Sequence, residues 1–240
     1  MHVTAICPTY RHPKLLANSL ALWLLQDYDP AQRQLVILDD AQTFDNQYGD
    51  TWQLRSLGKR CTSITQKYNM LLDMMGKTEA VIVWEDDDTY LPDYVSKHVA
   101  ALQKGDYSKP SRVLSDYTGK LVEENAAGRF HSSIAFTDEL IFRVGSWPDT
   151  KRADFDQQLM SKLTKYAGKQ VDPWPTGPIP FVYRWHTGAA HGQNTMQGPD
   201  DETWWDRNVQ SYAPVDYVGK LVPSMDGSTF SIFKQLGYQV

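Results

Sequence analysis

Several common nucleotide-binding signatures are missing from this chain. It has no Gly-x-Gly-x-x-Gly fingerprint and no complete Gly-x-x-x-x-Gly-Lys-Ser/Thr loop, which excludes the classical dehydrogenases and the P-loop hydrolases. No apolar run approaches the roughly 20 residues needed to span a bilayer. Cysteine is scarce: Cys7 and Cys61 are the only two, too few for a disulfide-stapled secreted scaffold. Met1 runs almost directly into the apolar residues 3–7 without a basic, apolar leader, so a cytoplasmic protein with reduced thiols is expected. Positive charge is not in excess either. With 24 basic and 29 acidic residues the net charge is −5, which gives polyanion binding by charge alone no support. Internal repeats and low-complexity tracts are also absent.

What remains is the balance of a globular chain, 41% hydrophobic and 22% charged over 240 residues, enough for one large domain or two small ones with a sizeable core either way. Residues 3–7 read as a buried strand, residues 15–28 as a helix closed by Asp29-Pro30, and residues 35–38 as a second buried strand. Strand, helix, strand within forty residues is the pattern of a parallel crossover unit. Residues 41–50 lack a period and read as a loop. Residues 65–75 and 93–104 read as amphipathic helices flanking a third buried strand that starts at Ala80. Residues 105–110 read as a linker dividing the chain into halves, 1–104 and 105–240. Beyond it, short strands are expected near 112–115, 121–122, 134–136 and 181–185. Helices are expected near 139–143, 154–166 and 228–236, and residues 173–180, with four prolines, as irregular chain.

The third strand ends in Glu85-Asp86-Asp87-Asp88, followed by Pro92, and the second in Asp39-Asp40. An isolated acidic run is more often a solvated turn than a site. At the carboxyl ends of buried parallel strands, however, acids stand where open α/β sheets bind ligands. Hard carboxylate oxygens there suit Mg²⁺ or Mn²⁺.

In order and spacing, these features resemble the family-two nucleotide-sugar glycosyltransferases of GT-A fold. The residues that carry the resemblance are Pro8-Thr9-Tyr10 after the first strand, Gln26-Asp27-Tyr28 at the helix end, and Asp39-Asp40. Tyr68-Asn69 stands where the family has Arg-Asn, and Glu85-Asp86-Asp87-Asp88 with Pro92 stands where it has Asp-x-Asp-Asp and a proline. The resemblance implies an α/β, Rossmann-like GT-A fold: a central mixed, mostly parallel sheet flanked by helices, in one domain over residues 1–240. The 1–104 half would bind the donor and the 105–240 half the acceptor. The activity implied is inverting, metal-dependent transfer of a sugar from a nucleoside diphosphate, a UDP-sugar first among them, with Mn²⁺ or Mg²⁺.

Residue roles follow from the same resemblance. Pro8, Thr9, Tyr10 and Asn69 would belong to the donor site, with Thr9 and Asp39 or Asp40 on the base, whose imide N–H needs an acceptor. Glu85 would face the ribose and Asp87 would hold the metal, with Asp88 supporting it from behind. Asp86, between the matched positions, is the least essential of the four. Gly145-Ser146-Trp147-Pro148 and Ala153-Asp154-Phe155-Asp156 resemble the family's glycine-aromatic turn and Glu-Asp helix start, with Ala153 in place of the glutamate. Asp154 would then be the general base, Asp156 the reserve, and helix capping is the plainer role for Asp154. Tyr183-Arg184-Trp185-His186 resembles a C-terminal Tyr-Arg-x-His segment, so His186 or His191 would complete the metal shell and Arg184 would neutralise phosphate.

Trp147, Trp174, Trp185, Trp204 and Trp205 could form an aromatic acceptor platform, although core packing is the commoner fate of tryptophan. The acceptor itself stays open: a glycan, a small molecule or a modified nucleobase. Two rival readings share the pattern, a nucleotidyltransferase of similar α/β shape and a non-catalytic nucleotide-sugar-binding module.

Overall fold

A strand with no polar face is stable only where both its faces are covered. Val3–Thr9 (β1) meets that condition near the middle of an eight-stranded sheet, with every residue buried. The computed structural model describes residues 1–117, 120–185 and 217–239. Among these, the further strands of the first half are β2 (Arg33–Asp39), β3 (Gln47–Tyr48), β4 (Trp52–Ser56), β5 (Ala80–Val83) and β6 (Thr89–Tyr90). Those of the second half are β7 (Tyr107–Ser108), β8 (Arg112–Tyr117), β9 (Lys120–Asn125), β10 (Ala135–Thr137), β11 (Gln170–Val171) and β12 (Phe181–Arg184). The helices are α1 (Pro13–Leu24), α2 (Ile64–Met74), α3 (Tyr94–Leu102), α4 (Asp138–Val144), α5 (Phe155–Tyr166) and α6 (Gly227–Gln235).

The large sheet runs β11-β7-β10-β5-β1-β2-β4-β3. β5, β1, β2 and β4 are mutually parallel, while β10 joins β5 and β7 antiparallel. A smaller sheet, β6-β12-β8-β9, stands beside it. Alternate residues of each strand point to opposite faces, and they feed two separate cores. Ala5, Cys7, Leu35, Ile37 and Ile82 pack with Leu20 and Trp23 of α1, Val95 and Val99 of α3 and Phe233 of α6. Ile6, Val36, Leu38, Val81 and Val83 pack with Tyr68 and Leu71 of α2, Leu140 of α4 and Leu163 of α5. The expected α/β architecture with a mixed sheet between helices is therefore the observed one. Among the described residues no helix is long and apolar enough to cross a membrane.

Two expectations are corrected. Residues 41–50 are not simply a loop, because they contain β3, which pairs antiparallel with β4. The expected linker at 105–110 carries β7, and β10 from beyond it lies between β5 and β7, so the two halves of the chain share one sheet. Both misreadings involve two-residue strands, too short to show a period. Cys7 and Cys61 are buried, unpaired thiols, and burial beside Asp40 pushes Cys61 up to about 11, which leaves it unreactive.

His98 of α3 packs between the rings of Tyr94 and Trp174, with Nδ1 2.8 Å from Ser108 Oγ. Burial lowers its pKa from 6.5 to about 3. The unfolded chain therefore binds a proton that the folded chain refuses across that window. His98 contributes stability fully above pH 6.5, and this is lost as pH falls towards 3, at up to about 1.4 kcal/mol per pH unit. Urea midpoints of His98→Asn, which keeps a partner for Ser108 and takes up no proton, should fall less steeply with pH than those of the wild type. Parallel slopes would refute this account.

Candidate active site

The chain leaves β1 towards β2 on one side and later returns to β5 on the other, which makes the crevice beyond their carboxyl ends a topological switch point. β1 delivers Thr9 to that crevice and β5 delivers the acidic run 85–88. The run is not a solvated turn, because β6 follows it at once and ties it to the second sheet. Asp86, Asp87 and Asp88 are 7%, 3% and 0% exposed.

Each acid has a different set of partners. Asp86 Oδ2 accepts from Thr9 Oγ1 at 2.6 Å across the switch point and lies 3.5 Å from His12 Nδ1. Asp88 accepts from the Arg184 amide at 3.0 Å and from Ser132 Oγ. Glu85 Oε1 accepts from Tyr68 Oη at 2.9 Å and lies 3.3 Å from His131 Nδ1. Burial, then the charges of Asp86 and Glu85, push the Asp87 carboxyl well above the usual range. One oxygen each from Glu85, Asp87 and Asp88 lie within 4.8 Å of one another. Three hard-oxygen donors, Asp87 and Asp88 buried and Glu85 partly so, whose mutual repulsion a dication would relieve fit Mg²⁺ or Mn²⁺.

These acids open on a cleft of about 260 Å³. Pro8, Thr9, Tyr10, Glu85, Asp86 and Asp87 line it, as the resemblance implied. One wall is aromatic. Tyr68 stacks on Trp147 with ring centres 4.7 Å apart and planes 8° from parallel, and Phe155 packs beside Tyr68. Trp147 reaches this position through two consecutive left-handed residues, Gly145 (φ 80°) and Ser146 (φ 67°), which turn the chain sharply after α4. Glycine adopts such a backbone freely; Ser146 does so at a cost.

Asp39, Asp40, Asn69 and Asp154 are not among the residues lining the cleft, nor are Asp88 and Arg184. Asp39 is consumed at the strand end, accepting from the amides of Ala41 and Thr43 and from Ser56 Oγ. Asp40 is buried against the Lys67 ammonium and the Cys61 amide. Asn69 clasps the backbone of Trp147 by two hydrogen bonds of 3.1 Å. Asp154 stands at the N-cap position of α5 but its side chain caps nothing. It accepts from Arg152 Nε and Nη2 at 3.0 and 3.3 Å and from Gln158 Nε2 at 3.0 Å, and the Arg152 hydrogen bonds hold it below the usual carboxylate range. The reserve residue Asp156 does line the cleft, and burial raises its carboxyl.

Arg184 turns its guanidinium to the start of α6, with Nη1 3.1 Å from Asp226 Oδ2. Trp174 is core, its indole bonded to the Arg112 carbonyl. His186, His191, Trp204 and Trp205 lie outside the described residues.

His12, Arg60, Lys67 and His131, which no motif marks in the sequence, also line the cleft, and so does Tyr183 of the Tyr-Arg-x-His segment. The sheet explains His131: extending the antiparallel register past Ala135 and Ile82 brings His131 and Ser132 alongside the acidic run. Arg60 covers the Tyr10 ring, its guanidinium 3.5 Å from the ring centre.

No protein-family model matches the chain, and no curated protein matches it in sequence. Solved structures do. TarS 1–349 from S. aureus in complex with UDP-GlcNAc superposes with a TM-score of 0.63 at 15% identity, over 81% of this chain and 61% of TarS 1–349. The mannosyltransferase PcManGT from Pyrobaculum calidifontis, in complex with GDP-Man and Mn²⁺, gives 0.58 at 19% identity, over 80% of this chain and 59% of its own. The chain thus spans about three fifths of the length of these structures. The fold is the GT-A-like fold of these glycosyltransferase structures.

Proposed function

We propose that this chain is an inverting, metal-dependent glycosyltransferase of the family-two type. It moves a sugar from a nucleoside diphosphate donor, UDP-linked, to an acceptor hydroxyl. The observation that carries the reading is the meeting, in one cleft, of a buried acidic cluster at the switch point and a second carboxylate, Asp156, whose proton affinity burial has raised. The sugar nucleotides bound to the two solved structures of the same fold support the donor class.

In this reading Pro8, Thr9 and Tyr10 hold the nucleoside, and Glu85 takes the ribose. Asp87, supported by Asp88, holds Mn²⁺ or Mg²⁺, and His186 or His191 completes its shell. The bound cation supplies charge neutralisation at the departing diphosphate. Asp156 removes the proton from the acceptor hydroxyl as that oxygen attacks the anomeric carbon, and the raised proton affinity of this half-buried carboxylate makes it the stronger base. Asp154, already saturated by Arg152 and Gln158, orients the start of α5. Residues 1–104 supply the donor side and residues 105–240 most of the acceptor side of a single domain. The acceptor is a glycan, a small molecule or a modified nucleobase. Two unpaired thiols fit a reducing compartment, the cytoplasm.

UDP release from a panel of UDP-sugars in the presence of Mn²⁺ tests the reading. Asp87→Ala is expected to lower the rate by about 100-fold. Release that needs no metal and survives Asp87→Ala would remove the acidic cluster from the chemistry. Pyrophosphate release from a nucleoside triphosphate would point instead to a nucleotidyltransferase, and binding without turnover to a sugar-nucleotide-binding module.

A further inference from the structure

Trp147, His131 and Glu85 form a directed chain of hydrogen bonds beside the acidic cluster. An indole N–H can only donate, so the 3.2 Å contact from Trp147 Nε1 requires His131 Nε2 to accept. In a neutral imidazole the proton then sits on Nδ1, the nitrogen 3.3 Å from Glu85 Oε1. An ionised carboxylate can only accept. The Nδ1–H form is therefore the one neutral tautomer that satisfies both neighbours. Tyr68 Oη donates to the same carboxylate oxygen at 2.9 Å. Two donors converging on Oε1 fix the rotation of the Glu85 carboxylate about its last bond.

The assembly is held from behind. Asn69 clasps the Trp147 backbone, Tyr68 stacks on the Trp147 ring and meets the His131 ring edge-on at 5.2 Å. His131 and Trp147 are 5% and 2% exposed, so water offers neither a substitute partner. Asn69 and the turn that bears Trp147, neither of them lining the cleft, thus bear on it through the Glu85 carboxylate, beside Tyr68, which lines it directly.

We infer that His131 is a positioning residue: Trp147 selects its Nδ1–H tautomer, which holds Glu85 oriented to receive a nucleoside diphosphate with its divalent cation. The ligand in this statement rests on the glycosyltransferase reading; the tautomer rests on hydrogen-bond chemistry alone.

In ¹⁵N-labelled wild-type protein with the imidazole neutral, His131 Nε2 is expected at the shift of an unprotonated ring nitrogen and Nδ1 at that of a protonated one. Trp147→Phe keeps an aromatic ring and removes the donor, and should draw the two shifts together. UDP titrations with Mn²⁺ should show His131→Ala binding about 10- to 100-fold more weakly. His131→Asn, whose amide can still donate from near the Nδ1 position, should recover most of that loss. A protonated Nε2 in the wild type overturns the inference, and so does His131→Asn binding UDP no better than His131→Ala. Should the wild type bind no UDP with Mn²⁺, the glycosyltransferase reading falls, and the ¹⁵N shifts of wild type and Trp147→Phe still decide the role of His131.

Discussion

Asp156→Asn is expected to abolish sugar transfer, by about 10²- to 10⁴-fold in turnover, while UDP affinity stays at the wild-type level. The amide keeps the shape of the side chain and an oxygen to accept from the Gln157 amide, now 2.7 Å from Asp156 Oδ1. What it loses is the ability to take a proton. Asp154→Asn is the paired control. That carboxylate is spent on Arg152 and Gln158 and is not among the residues lining the cleft, so its loss should lower turnover far less. A variant pair with the opposite ranking would return the base to Asp154.

The pH profile separates the two carboxylates independently. Burial raises the Asp156 carboxyl, whereas the Arg152 hydrogen bonds lower that of Asp154. A base must be deprotonated to work, so turnover resting on Asp156 falls about tenfold per pH unit below a limb displaced upward from the ordinary aspartate value. A limb displaced downward would identify Asp154. Linkage gives a second readout. An acid whose folded pKa is raised contributes stability below its unfolded pKa and loses it as pH rises through the folded one. Ionised Asp156 therefore destabilises the fold at neutral pH, and Asp156→Asn should melt at a higher temperature than the wild type even as it loses activity.

The elements that position this site were legible where local chemistry forced them. Residues 3–7, 35–38 and 80–83 admit little besides buried strands, and acids after the second and third of them mark the end of the sheet where ligands bind. The face each acid presents was not legible. Asp39 and Asp40 match a base-binding pattern, yet Ala41, Thr43 and Ser56 take one and Lys67 and Cys61 the other. Those partners come from a turn, the end of β4, the loop before α2 and α2 itself, and no spacing rule announces them. His131 had the same obstacle: it reaches Glu85 only because β10 runs antiparallel to β5, and a three-residue strand gives no hint of its direction. The choice between Asp154 and Asp156 turns on Arg152 and Gln158, each within four residues of Asp154. Such local competition could have been weighed from the sequence and would have favoured Asp156.

Lys67→Met is expected to destabilise the fold by about 3–5 kcal/mol, the largest effect on stability proposed for any single substitution here. The Lys67 and Asp40 side chains are 1% and 0% exposed, and they meet beneath the floor of the cleft. Removing the ammonium leaves a buried carboxylate with the Cys61 amide, 2.9 Å away, to offset part of its charge. The double variant Lys67→Met, Asp40→Asn removes that charge while retaining an acceptor for Cys61, and should recover most of the loss. It should still fall short of the wild type by about 1–3 kcal/mol, because Lys67 Nζ also donates to the Thr9 carbonyl at 2.8 Å, and methionine leaves that buried oxygen unmet. Thr9 is the residue that reaches across the switch point to Asp86. The residual deficit should therefore appear in UDP affinity as well as in the urea midpoint, whereas the charge effect should appear in the midpoint alone. Lys67→Met unfolding within 1 kcal/mol of the wild type would show instead that Asp40 finds another cation or takes up a proton.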